Sequence, residues 1–260
     1  MHILLPPSET KRSGGGSAFS ASALAHHASL GDARILVRES LIALCRDPDA
    51  AAKALKLGVK NRDELERNLR LAESGAMPAI DRYTGVLYDA LDALELDPEA
   101  RDWLFSYVSV QSALFGLIRA GDPIPAYRLS ASSRLPALGS PLKRVWGEAH
   151  ADLDWPSHGW VLDLRSKDYA ALAPLPAGRG SRLHVAQRGP GGEMRALNHF
   201  NKAAKGDLVR RLAESGARID GAAGFARWAE GAGLEVSLDA ASGELTLVTE
   251  LGAPALTATR

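Results

Sequence analysis

Met1-His2-Ile3-Leu4-Leu5-Pro6-Pro7-Ser8-Glu9-Thr10-Lys11 opens the chain and decides how it is read. The apolar run Ile3–Leu5 is too short for a helix and suits a buried strand of a parallel sheet. Proline has no N–H to give a ladder, so the strand ends at Pro6. A hydroxyl, a carboxylate, a second hydroxyl and an ammonium follow at once. Open α/β sheets bind ligands just beyond the carboxyl ends of their strands. Ser8, Glu9 and Lys11 therefore stand where a site is built, and their groups suit an anionic or polar ligand.

Two further segments repeat this grammar. Tyr107–Val110 reads as a buried strand running into Gln111-Ser112, and Gly159–Leu164 as a third, followed by Arg165-Ser166-Lys167-Asp168-Tyr169. Neighbouring strands would bring Ser8/Lys11, Ser112 and Arg165/Ser166/Lys167 to one rim. Tyr127-Arg128 and Lys202/Lys205 would add cations, giving a hydroxyl-rich, positive pocket for a phosphate, carboxylate or oxyanion.

Outside these strands, residues 12–34 contain Ser13-Gly14-Gly15-Gly16-Ser17, read as a flexible surface loop or a lid beside the site. Helical periodicity holds from about 35 to 104. Asp47-Pro48 and Asp97-Pro98 are helix starts, and Asn61 is placed as the cap of a helix running to about Ser74. Another apolar helix covers Val86–Leu94, and one from Pro141 to Asp152 carries Trp146. Arg182–Gln187 and Met194–Phe200 form a hairpin around Gly189-Pro190-Gly191-Gly192. Helices over Lys202–Ser215 and Gly221–Glu230 and strands at Leu234–Leu238 and Glu244–Thr249 complete the pattern. The pattern has no repeat and no linker, so one α/β domain over 1–260, mixed in topology around a central sheet, is the simplest account.

Thirty-one basic and thirty-one acidic residues leave no net charge, so any nucleic-acid contact must be local. Residues 53–70 offer it: Lys53, Lys56, Lys60, Arg62, Arg67 and Arg70 stand against Asp63, Glu64 and Glu66, around the turn Gly58-Val59. Two short helices about a glycine turn outline a helix–hairpin–helix, which presents amides and cations to phosphate. The lone Cys45 excludes an internal disulfide and a multi-cysteine metal site, and fits a reducing, cytoplasmic setting. No 18-residue apolar run crosses a membrane. The seven histidines make no ligand pattern, and His199, beside the cationic helix start, is the one to watch. No metal and no cofactor are expected.

In order, Leu4-Leu5-Pro6-Pro7-Ser8-Glu9-Thr10-Lys11, Tyr83-Thr84-Gly85, Ser112-Ala113-Leu114-Phe115-Gly116, Tyr127-Arg128-Leu129, Trp146, Ser166-Lys167-Asp168-Tyr169 and Lys202-Ala203-Ala204-Lys205-Gly206 resemble the YaaA family of bacterial peroxide-stress proteins. The resemblance implies a cytosolic protein that limits oxidative and iron-dependent damage under hydrogen peroxide. It implies a mixed α/β fold with a helix–hairpin–helix element, a positively charged cleft and sequence-independent DNA binding. Ser8, Lys11, Tyr83, Ser112, Tyr127, Arg128, Ser166, Tyr169, Lys202 and Lys205 would line or support that cleft, with Thr84, Arg165 and Lys167 beside them. Members commonly read Ser-Pro-Ala-Lys-Thr where this chain reads Pro7-Ser8-Glu9-Thr10-Lys11, and the hairpin here lacks a second glycine.

The residues also support an alternative, an enzyme acting on a nucleotide, nucleobase or similar purine-like molecule. Ser-x-x-Lys followed by Tyr-Thr-Gly is similar to motifs of enzymes that modify or cleave purine derivatives. Lys11 would bind an anion or act as a base, with Ser8 beside it and Glu9 or Asp168 as general acid or base.

Overall fold

The first strand, β1 (His2–Leu5), lies in the middle of the sheet with all four residues buried. In this computed structural model, which describes residues 1–58, 61–189, 191–197 and 200–252, helices α1 (His27–Cys45), α2 (Pro48–Ala54) and α3 (Asp63–Leu69) follow. Then come β2 (Met77–Pro78), α4 (Ala79–Arg82), α5 (Val86–Leu91) and α6 (Pro98–Tyr107). The next elements are β3 (Val108–Ser112), β4 (Gly116–Arg119), β5 (Pro123–Ile124), α7 (Leu142–His150), β6 (Val161–Asp163) and α8 (Lys167–Ala170). Last are β7 (Gly180–Arg188), β8 (Met194–Ala196), α9 (Asn201–Glu214), α10 (Ala222–Gly231), β9 (Glu235–Leu238) and β10 (Leu245–Val248).

The main sheet runs β4-β3-β1-β6-β7-β10-β9, with β8 paired to β7. β1 is parallel to both β3 and β6, β6 to β7, and β7 to β10. The three strands read from the sequence are therefore neighbours, and their carboxyl ends share one rim. The chain places β3 on one side of β1 and later β6 on the other, so the order reverses at β1. Such a switch point is where open α/β sheets hold ligands. The long β7 outruns its neighbour: residues 180–182 pair with β6, and 186–188 pair antiparallel with β8.

Local chemistry sets the helix ends as read. Asp47 Oδ1 accepts from the amides of Asp49 and Ala50, and Asp97 Oδ1 from Ala100, each with proline in the first turn. The close meeting of α5 with α9 depends on Gly206, since a Cβ there would run into the Leu87 carbonyl. Gly206 closes the Lys-Ala-Ala-Lys-Gly motif, so that motif is partly a packing signature.

The structure corrects the glycine-rich segment. It is an exposed segment, as read, but shorter than 12–34, because α1 already begins at His27. Ser17 bridges Ala76, and the fully buried Arg82 gathers the carbonyls of Arg12, Gly14, Gly75 and Ile124. A buried guanidinium satisfied by carbonyls ties three chain segments together. The helix after Asn61 also ends at Leu69, and its cap carries no side-chain hydrogen bond. Val59, Lys60, Pro190 and His199 lie outside the described residues.

Candidate functional site

Lys11 is carried just past the end of β1 and bridges Tyr83 across a short antiparallel contact. Its Nζ donates to the carbonyls of Ser8 (2.9 Å) and Glu9 (3.2 Å). It also lies over two aromatic faces, 4.1 Å from the Tyr127 ring centre and 5.4 Å from that of Tyr83. Although the residue as a whole is half-buried, its amine sits among these rings. Loss of hydration pulls its pKa from 10.5 to about 7, with Glu9 opposing the shift and Arg128 adding to it. The two carbonyls and two π faces stabilise the ammonium against that loss.

Behind the amine runs a hydroxyl chain. Tyr83 and Tyr127 meet through their hydroxyls at 2.8 Å, and Tyr127 meets Ser112 Oγ at 2.8 Å. Ser112 Oγ also accepts the amides of Leu114 (3.1 Å) and Phe115 (3.0 Å). Those two N–H groups use both of its lone pairs, so Ser112 donates to Tyr127 and Tyr127 to Tyr83. The Tyr83 proton is the one left to give. Burial pushes both phenols well above their ordinary pKa, so they stay neutral.

The rim is built from the same strand ends. Ser8 Oγ, Thr10 Oγ1 and Thr84 Oγ1 form a hydroxyl ladder, with 3.3 Å and 3.0 Å steps. Gly85, at φ +98°, faces Ser8 and Thr10 at a distance that leaves little room for a side chain. Arg128 pairs with Glu9 at 3.2 Å, and its backbone is clamped by Asn68, which accepts from its N–H (2.8 Å) and donates to its C=O (2.9 Å). Tyr88 donates to the Pro6 carbonyl. Sequence reading missed Asn68, Tyr88 and Arg82. Asn68 had a signal, since it falls three residues after Leu65 on the buried face of α3.

Further along the rim, Arg165 is committed to structure. Its Nε and Nη2 grip Asp163 at 2.9 and 2.8 Å, and Nη1 donates to Ala173. Lys205 is buried and donates to the Leu164 carbonyl at 2.9 Å. Burial lowers its pKa to about 8, against the pull of Asp163. Ser166, Lys167, Asp168 and Lys202 are exposed, and Tyr169 is half-buried with its phenol pushed up by burial. A cavity of ≈340 Å³ lies here, walled by Arg165, Lys167, Arg182, Asn201 and Lys205 among others.

The helical hairpin is less cationic than its composition. Arg62 pairs with Asp49, Arg67 with Asp63 and Glu64, and Arg70 with Glu66. Lys53 and Lys56 remain exposed, without ion pairs among the described residues. Through Asn68 and Arg128 the hairpin's second helix supports the Lys11 site.

The family model described as peroxide stress protein YaaA matches residues 1–231. The chain belongs to this family. It is similar to the UPF0246 protein of Corynebacterium efficiens, 40% identical over 252 residues covering 95% of this chain and 100% of the relative. It is also 37% identical over 255 residues to the UPF0246 protein of Streptomyces coelicolor, covering 92% and 93% of the two chains. A UPF0246 protein of Caulobacter vibrioides is 30% identical over 175 residues, 63% of this chain and 66% of its own. The YaaA match takes in the whole carboxyl rim, from Ser8 to Lys205, and stops before β9 and β10. Among the described residues no helix is long and apolar enough to cross a membrane.

Proposed function

We propose that this YaaA-family protein serves the peroxide-stress response through a small-molecule pocket at the carboxyl rim, with Lys11 as its working group. The ligand class is a nucleotide, nucleobase or similar polar molecule with an oxygen or anionic group. The observation that carries this reading is the placement of the Lys11 amine against the faces of two tyrosines whose hydroxyls form a buried chain with Ser112. A phosphate groove for DNA needs solvated cations, not a desolvated amine whose pKa falls near neutrality. Such an amine shifts between ammonium and free base at physiological pH, which suits acid–base work or a charge-sensitive ligand site. Arg128, paired with Glu9 at the rim, supplies a cation.

The test is mass-spectrometric and thermal-shift profiling of the protein against nucleosides, nucleotides and bases, beside Lys11→Ala. Turnover or stabilisation by one small molecule, abolished in a folded Lys11→Ala, is the expected result. A complete lack of effect in the unaltered protein would sink the reading.

A second reading, sequence-independent DNA binding, is favoured by the exposed Lys53, Lys56, Lys167 and Lys202, which make no ion pair among the described residues. It expects short duplex DNA to stabilise the protein at low salt, steeply less at physiological salt, and equally in Lys11→Ala.

A further inference from the structure

The opposite, amino rim of the sheet holds a second cavity of ≈340 Å³. It is walled by His2 of β1, Arg119 at the end of β4, and Ser106, Ser157 and His158 beside the starts of β3 and β6, with His26 closing it from the foot of α1. None of the lining residues is acidic. The three imidazoles cluster around His158. His2 and His158 meet edge to face with ring centres 4.8 Å apart, and His26 and His158 lie 5.5 Å apart. Two of them are fixed by their surroundings: His2 Nε2 meets Ser109 Oγ at 2.8 Å, and His158 Nδ1 meets the Asp154 carbonyl at 3.1 Å. His26 Nε2 is buried with no hydrogen-bond partner. His26 also holds a left-handed backbone, φ 58°, a conformation that a non-glycine residue seldom adopts without a compensating role.

We propose that this cavity binds a small phosphomonoester or a comparable dianion, held by the Arg119 guanidinium and by imidazoles that take up protons as it enters. The site is separate from the Lys11 pocket and does not depend on the function proposed for it. Its volume, more than ten times the roughly 30 Å³ share of one liquid water, admits an anion together with its ester group. The charge balance points the same way. Burial, the neighbouring imidazoles and Arg119 pull His2 down to about 3 and His26 to about 4, so both are neutral near pH 7. The Met1 amine and Arg34 add to the positive field. Two carboxylates offset part of this field: Asp122 accepts the amides of Ala25 and Arg119 and attracts Arg34 and Arg119, and Asp220 attracts the Met1 amine. An entering dianion supplies the missing negative charge, raises the imidazole pKa values and is bound more tightly as pH falls.

Calorimetric titration tests this with two probes, sulfate and phenyl phosphate. Sulfate stays a dianion across the range, so its pH dependence reports the protein alone. Expected are binding of both, net proton uptake on sulfate binding, and roughly tenfold tighter sulfate binding at pH 6 than at pH 8. Arg119→Gln and His158→Asn are each expected to weaken binding roughly tenfold while the melting temperature holds. Tighter binding of phenyl phosphate than of sulfate assigns the site to esters, and equal binding assigns it to free oxyanions. Absence of binding by both probes overturns the proposal. So does binding unchanged in both variants, which would place the anion at the carboxyl rim, or one-to-one zinc binding that excludes sulfate.

Discussion

Lys11 carries its ammonium at a cost, because the folded protein has replaced its water with rings and carbonyls. In the unfolded chain it titrates at its ordinary 10.5, and in the fold at about 7. Between those values the unfolded chain holds the extra proton, so stability rises with pH across that window. Lys205, lowered to about 8, acts in the same direction. Above about 10 the buried phenols of Tyr83, Tyr88 and Tyr127 reverse the trend, because the unfolded chain then loses protons that the fold retains. Urea denaturation from pH 7 to 9.5 is expected to show a rising midpoint, and Lys11→Met to flatten part of the rise. Ser112→Ala strands the amides of Leu114 and Phe115 in the core and removes the donor to the Tyr127 hydroxyl, which keeps its bond to Tyr83. About 1–3 kcal/mol of stability is the expected loss, measured by the same denaturation.

At the scale of elements, Arg82 decides whether the segment after Lys11 is ordered. Arg82→Met removes the tie that gathers residues 12, 14, 75 and 124 while leaving an apolar stem. Hydrogen exchange is expected to accelerate at residues 12–17 and 74–76 well before the sheet is affected. Gly206→Ala forces α5 and α9 apart, and a loss of roughly 1–3 kcal/mol with a lowered melting temperature is expected. These two residues also show where the sequence was legible. β1 could be read because an apolar run met two prolines, and α2 and α6 because Asp-Pro marks a helix start in the local chain. The loop's extent was misread because α1 begins before its apolar periodicity shows, and the loop's tether to an arginine sixty-five and more residues away is recorded in no local pattern. In the site, Ser8, Lys11 and Ser112 were visible as polar groups at strand ends. The service of Arg165 to Asp163, and of Asn68 to Arg128, was not, since each depends on which strands and helices become neighbours.

Across the whole molecule, the terminal hairpin completes the sheet. β10 pairs with residues 183–186 of β7, and Leu245 and Leu247 are buried beneath it. A chain ending at residue 234 would keep most of the span matched by the family model but leave a bare edge on β7. Unpaired strand edges recruit other chains. Size-exclusion chromatography is expected to show self-association of that truncated form, with the full chain as control. The two rims of the sheet are then separable in one molecule: Lys11→Ala is expected to leave sulfate binding at the amino rim unchanged, and Arg119→Gln to leave small-molecule stabilisation at the carboxyl rim unchanged.

Asn68, which clamps Arg128 from α3, also donates to the Cys45 sulfur at 3.5 Å, and burial pushes that thiol's pKa up. Peroxide is reduced by the thiolate, not by the thiol. The single sulfhydryl of a protein from a peroxide-stress family is thus stored in its least reactive form, out of solvent. Burial and a raised pKa both slow sulfenic acid formation at Cys45 and any cross-link through it. That reserve comes from burial alone, because the hydrogen bond from the same asparagine that positions an arginine at the site pulls the thiol the other way, toward thiolate.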